Sequence, residues 1–149
     1  MRAVVQRVRS AKVTVGERTT GEIAQGLLVY LGVGVGDGDA QLAYMVEKIT
    51  AMRIFHDDAE KMNRSVVDVG GAVLVVSQFT LYGDVRKGRR PSFDAAMPPE
   101  EAKAVYERFV DRMRATGIKV ATGEFRATMI VSSEVDGPVT MLVDSAKGF

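Results

Sequence analysis

Two continuous apolar runs, Leu27 to Leu31 and Ala72 to Val76, interrupt a chain whose other hydrophobic positions are mostly spaced by polar ones. Runs of that length and β-branched character suit central strands buried on both faces, and they predict the core. Ala3 to Val8 and Lys12 to Val15 read as two short strands around Arg9-Ser10-Ala11. Gly16 and Thr19-Thr20-Gly21 supply turn chemistry, so a hairpin is expected at the start. From Asp39, a good N-cap, Leu42, Met45, Val46 and Ile49 recur at helical spacing. Pro98-Pro99-Glu100-Glu101 opens a second helix with Ala102, Val105, Tyr106, Phe109 and Met113 on one face and Gly117 just past its end. Its acidic first turn and the basic Arg108, Arg112 and Arg114 toward its other end both suit the helix dipole. Strand-like segments follow at Lys119 to Thr122, Thr128 to Val135 and Val139 to Val143. Without repeats or a linker, the pattern predicts a single α+β domain over 1–149, two main helices on a mostly antiparallel or mixed sheet.

Composition narrows the chemistry. The 149 residues carry a formal net charge of only +1, so nucleic-acid binding would need a local basic patch. Cysteine is absent, which removes disulfides, thiolate nucleophiles and the usual zinc sites together. No cofactor or metal is expected. No signal-like segment or membrane-length apolar run stands out, so a soluble, cytoplasmic protein with no membrane partner is the expectation.

Two tempting motifs fail. Gly32-Val33-Gly34-Val35-Gly36-Asp37-Gly38 lies between a strand and a helix, where a dinucleotide fingerprint belongs. Aspartates stand where its third glycine should be, and they would repel a pyrophosphate, so a flexible turn is the better reading. His56, the one histidine, precedes Asp57-Asp58 and invites a triad with Ser77, but a lone histidine in a polar loop is expected to be merely solvated.

Three segments hold more promise. Ser77, Gln78, Phe79 and Thr80 emerge from the end of the second apolar run, where a rigid strand fixes the first residues beyond it; they offer neutral donors and acceptors beside an aromatic face. Arg86, Lys87, Arg89 and Arg90 form a basic cluster suited to phosphates. Asp136-Gly137-Pro138-Val139-Thr140 sets a Gly-Pro step between two β-branched stretches. Proline cannot donate to a ladder, so the strand must break, bulge or lie at an edge there. Taken alone, an Asp-Gly-Pro turn joining a hairpin is the more economical account. A cis bond would instead aim the two carbonyls of Gly137 and Pro138 the same way, as a rigid fork of acceptors.

Gln6-Arg7-Val8, Lys61-Met62-Asn63, Ser77 to Leu81 (SQFTL), Arg90-Pro91-Ser92-Phe93 and Gly137 to Thr140 (GPVT) occur in an order and spacing that resembles the D-aminoacyl-tRNA deacylase family over essentially the whole chain. The resemblance implies that family's barrel-like fold and hydrolysis of the ester joining a D-amino acid, or glycine, to the terminal adenosine of tRNA. It implies a homodimer in which GPVT of one protomer enters the pocket around SQFTL of the other. It also implies a cis Gly137–Pro138 bond held by Arg7. Ser77, Gln78, Phe79 and Thr80 become the catalytic segment, with main-chain N–H groups near Phe79 and Thr80 as oxyanion donors and the ribose 2′-OH helping to orient water. Gly137, Pro138, Val139, Thr140 and Arg7 become the substrate-binding set, and Arg86, Lys87, Arg89 and Arg90 the tRNA-binding one. Two rivals remain: an editing domain that removes L-serine from tRNA, and a non-enzymatic nucleic-acid-binding protein.

Overall fold

The computed structural model describes residues 1–149. The chain runs through β1 (Arg2–Val15), β2 (Arg18–Ile23), β3 (Gly26–Gly32), α1 (Asp39–Ala51), the small ribbon β4 (Phe55–His56) and β5 (Met62–Arg64), then β6 (Ala72–Ser77), α2 (Pro99–Ala115), β7 (Lys119–Thr122) and β8 (Ile130–Asp144). Six strands make one mixed sheet in the order β2-β1-β3-β6-β7, with β8 paired to β1. The β3–β6 and β6–β7 pairs are parallel, each bridged by a helix, as parallel neighbours require. At Gly21 a Cβ would stand 2.3 Å from the Thr122 carbonyl oxygen, so only glycine lets β2 approach β7 and nearly close the sheet into a barrel.

The two apolar runs are the parallel pair β3 and β6, register Leu27↔Val73 to Leu31↔Ser77. Leu27, Val29, Leu31, Val73 and Val75 pack with Leu42, Met45, Ile49, Phe109 and Met113 of the helices. The alternate residues Leu28, Leu74 and Val76 pack with Val8, Val13 and Ile23 inside the barrel. Burial on both faces is why these strands are continuously hydrophobic.

Several expectations need correcting. The two short strands expected over 3–15 are one 14-residue strand, β1, and the expected hairpin is the one it forms with β2. A register shift between Val8 and Ser10 changes its phase, so Val8, Ala11 and Val13 all reach the barrel interior; the broken alternation reports a bulge, not a turn. Thr19, Thr20 and Gly21 lie within β2, and the tight turn sits at Gly16, with φ +59°. Gly38, not Asp39, caps α1, its N–H bonded to Gln41 Oε1 at 3.0 Å. The Gly32 to Gly38 stretch is not a loose turn. Asp37 accepts from Gly34 N–H at 2.6 Å, the Met1 amino group at 2.6 Å and the Tyr82 hydroxyl at 3.2 Å. The segments 128–135 and 139–143 belong to one strand, β8, which starts at Ile130.

Candidate active site

The Gly137–Pro138 peptide is cis. Register passes from Gln6↔Thr140 to Val8↔Val135, so Arg7 alone on β1 faces the residues 136–139 on β8. The strand bulges rather than breaks, and it lies at an edge, since β8 pairs with β1 only. Gly137 and Pro138 are exposed at the crest of this bulge. Beneath them Arg7 is 4% exposed. Its Nη1 donates to Ile54 O at 2.6 Å and its Nε to Asp136 O at 3.2 Å, with Asp136 Oδ2 also 3.2 Å from Nε. One buried guanidinium thus joins the bulge to the segment after α1, using the rigid multi-donor geometry that lysine lacks. Thr140, past the bulge, accepts from Gln6 Nε2 at 3.2 Å.

At the other end of the molecule's chemistry, β6 stops at Ser77. Gln78 N–H still bonds to Leu31 O at 2.8 Å, so the strand pins the first residue beyond it. The chain then winds into a 3-10 turn over Phe79–Tyr82, closed by Gly83 N–H to Thr80 O at 2.9 Å. The N–H groups that open such a turn have no partner within it. Gln78 Nε2 donates to Thr80 Oγ1 in a short contact. Phe79 is 58% exposed and meets Phe93 edge to face, ring centroids 5.0 Å apart. Ser77, Gln78 and Phe79 line a cavity of about 640 Å³, whose walls include Phe93, Met97, Phe125 and Met129. Tyr106 also lines it, but its hydroxyl is committed to Val75 O at 3.0 Å and burial pushes the phenol far above its ordinary pKa, so it supplies no acid or base near neutrality.

The sequence-predicted residues therefore fall into three places. Ser77, Gln78 and Phe79 are together at the cavity, with Thr80 just outside it in contact with Gln78, while Gly137, Pro138, Val139, Thr140 and Arg7 are together at the bulge. The bulge residues do not line the cavity of their own chain. The basic loop is tied at its base by Asp84 N–H to Ser92 O at 2.7 Å and Ser92 N–H to Asp84 O at 3.0 Å. Arg86 is not a free cation: it grips Asp84 through Nε at 2.9 Å and Nη2 at 2.6 Å. Hydrogen bonds from the Arg86 side chain and then its backbone hold the Asp84 carboxyl down at about 2. Lys87, Arg89 and Arg90 are exposed and make no ion pair. His56 is exposed on β4. No cluster of three or more His, Asp or Glu side chains is arranged to hold a metal ion, and no helix is long and apolar enough to cross a membrane.

Sequence reasoning missed Asp136 as the Arg7 partner and Phe125, Arg126 and Met129 as cavity walls. An acidic residue directly before Gly-Pro, together with an arginine at an apolar position of the first strand, was the available signal for the first. The second set comes from a loop brought to the cavity only by the closing of the sheet.

This is a barrel that combines a nucleoside-sized apolar cavity with an outward-held main-chain bulge. Residues 4–144 match the family described as D-Tyr-tRNA(Tyr) deacylase, and the chain belongs to it. Full-length relatives named D-aminoacyl-tRNA deacylase include those of Koribacter versatilis, 62% identical, and Thermotoga petrophila, 57% identical, each over 100% of both chains. A solved structure named c-Myc DNA Unwinding Element Binding Protein superposes with a TM-score of 0.91 at 41% identity, covering 97% of this chain and 98% of that one. Another, a probable eukaryotic D-amino acid tRNA deacylase, gives 0.80 at 19% identity over 95% and 97% of the two chains, a likeness of fold alone.

Proposed function

We propose that this protein hydrolyses the ester joining a D-amino acid to the 3′-terminal adenosine of tRNA. The observation that carries the reading is its full-length correspondence with relatives named for that reaction. The geometry supplies a mechanism. An aminoacyl ester is already activated, so water, positioning and stabilisation of the developing oxyanion suffice without a strong side-chain nucleophile. Phe79 and Phe93 offer aromatic faces to the terminal base, and Gln78 and Thr80 place the ester. Main-chain N–H groups at Phe79 and Thr80 receive the oxyanion, and the ribose 2′-OH helps orient the water. Lys87, Arg89 and Arg90 attract the tRNA backbone, and Arg86 chiefly shapes the loop they stand on.

Handedness is read across two copies of the chain. The Gly137 and Pro138 carbonyls of one protomer hold the substrate amino group over the partner's cavity and occupy the space an L side chain needs; glycine, with none, passes. The exposed bulge and a 15-residue edge strand bearing exposed Ile130, Met141 and Leu142 support this pairing, since a long apolar edge calls for a partner. Steric exclusion is needed because ordinary contact differences give only about 1–3 kcal/mol of discrimination. Rates of release of D-tyrosine and L-tyrosine from matched charged tRNAs test the proposal. Strong preference for the D ester is expected; equal rates would remove the filter, and no hydrolysis of either, with retained nucleic-acid binding, would favour the function named for the 41%-identical structure.

A further inference from the structure

The cavity has one charged wall. Of its 18 lining residues only Arg126 carries a charge, and it sits in the loop between β7 and β8. That loop is anchored on both sides of the arginine: Gly123 N–H bonds to Val75 O at 3.0 Å, Ala127 N–H to Glu124 O at 3.2 Å, and the Phe125 ring lies 5.7 Å from that of Tyr106. Arg126 itself has φ +65°, the left-handed region that arginine seldom occupies, so the fold holds it at the cavity against its backbone preference. Its Nη1 lies 3.2 Å from Glu100 Oε1 on the first turn of α2. Both side chains are well exposed, 64% and 89%, which makes this a solvent-screened pair that exchanges easily.

We propose that Arg126 is a substrate-recognition residue that takes the phosphodiester on the 5′ side of the terminal nucleotide, with Glu100 occupying the guanidinium until substrate arrives. The inference rests on the proposed function for the identity of that nucleotide. A purine fits the aromatic and thioether walls of the cavity, and with the ester at Ser77 to Thr80 the nucleotide's 5′ phosphate must leave through the mouth. An arginine fork suits a phosphate there better than a carboxylate that remains in water.

The test compares ligands with and without that phosphate. The wild-type protein is expected to bind 5′-AMP about tenfold more tightly than adenosine, and Arg126→Gln to bind the two alike. In hydrolysis, Arg126→Gln is expected to raise KM for D-tyrosyl-tRNA about tenfold with little change in kcat, while D-tyrosyl-adenosine is cut as by the wild type. Arg126→Lys recovers part of the loss, and Glu100→Gln lowers KM for the tRNA ester in the wild-type background but not beside Arg126→Gln. Equal binding of AMP and adenosine by the wild type, or equal losses on both esters, would overturn the inference. If the wild type hydrolyses neither ester yet prefers AMP through Arg126, the proposed function falls and only the nucleotide-phosphate contact at Arg126 stands.

Discussion

The SQFTL segment and the GPVT segment are built by opposite means. The first emerges from β6, whose Val73 to Val76 are buried on both sides, and opens into a cavity formed by its own chain. The second rides on an edge strand, exposed at Gly137 and Pro138, and is held chiefly by one buried arginine, with Val139 its contact with the core. On the function proposed above, a cavity with no bulge over it and a bulge with no cavity beneath it would be two halves of a site that a second copy of the chain completes. The difference also says where each half is fragile: the first through its shape, the second through a single side chain.

Removing that side chain is the harshest way to break the comparison. Arg7→Ala takes the donor from the Ile54 carbonyl and leaves Asp136 only its 3.5 Å pair with the exposed Arg9, and is expected to cost about 1–3 kcal/mol, with D-ester hydrolysis falling more than about a hundredfold. Thermal unfolding and single-turnover kinetics measure both. Arg7→Lys should not restore either, because a point charge cannot make the same divergent bonds.

Gly137→Ala acts more locally. A Cβ there would stand 2.8 Å from Val139 Cγ2 and 3.1 Å from Arg7 Nη2, at φ +124°, so the fork must shift. The ratio of D- to L-ester hydrolysis should drop about tenfold or more while the apolar cavity still binds nucleoside. An unchanged ratio would mean that handedness is read elsewhere.

Thr80→Val removes only the hydroxyl that accepts from Gln78, so a loss of about fivefold is expected, the scale of one hydrogen bond. Complete loss of turnover with intact folding would make Thr80 a nucleophile and contradict the water mechanism.

Much of this contrast was legible in the chain. Both buried runs, both helices and the two signature segments lie where hydrophobic pattern and motif place them. What pattern alone left open were the bulges: Arg9-Ser10-Ala11 and Asp136-Gly137-Pro138 both disturb a period of two, and a phase change looks the same in sequence whether the strand turns back or merely kinks; the cis bond at the second was legible only through the family resemblance. Pairing with a partner strand decides between them, and that is not local. The Arg86–Asp84 pair was not legible for a similar reason, because a basic cluster does not announce that Asp84 two residues earlier claims one of its members.

That claim gives the smallest prediction. The Asp84 carboxyl titrates near 2, below its ordinary value of 3.8. Because the shift is downward, any stabilisation from the Asp84–Arg86 pair is complete above the ordinary value and disappears as pH falls through about 2. An NMR titration of the Asp84 side chain should therefore show it ionised throughout pH 4 to 8, and Arg86→Ala should return it toward the ordinary carboxylate value.

The most direct measurement mixes two disabled chains. Gly137→Val spoils the bulge and Ala127→Trp fills the cavity, and each homodimer is expected to be nearly inactive on D-tyrosyl-tRNA. After subunit exchange at equal concentrations, half the dimers pair one chain of each kind and carry one sound site of two, so activity should return to about a quarter of the wild-type level with D selectivity intact. If the mixture stays as inactive as its components although exchange is verified, the two segments do not meet across subunits and the account is wrong.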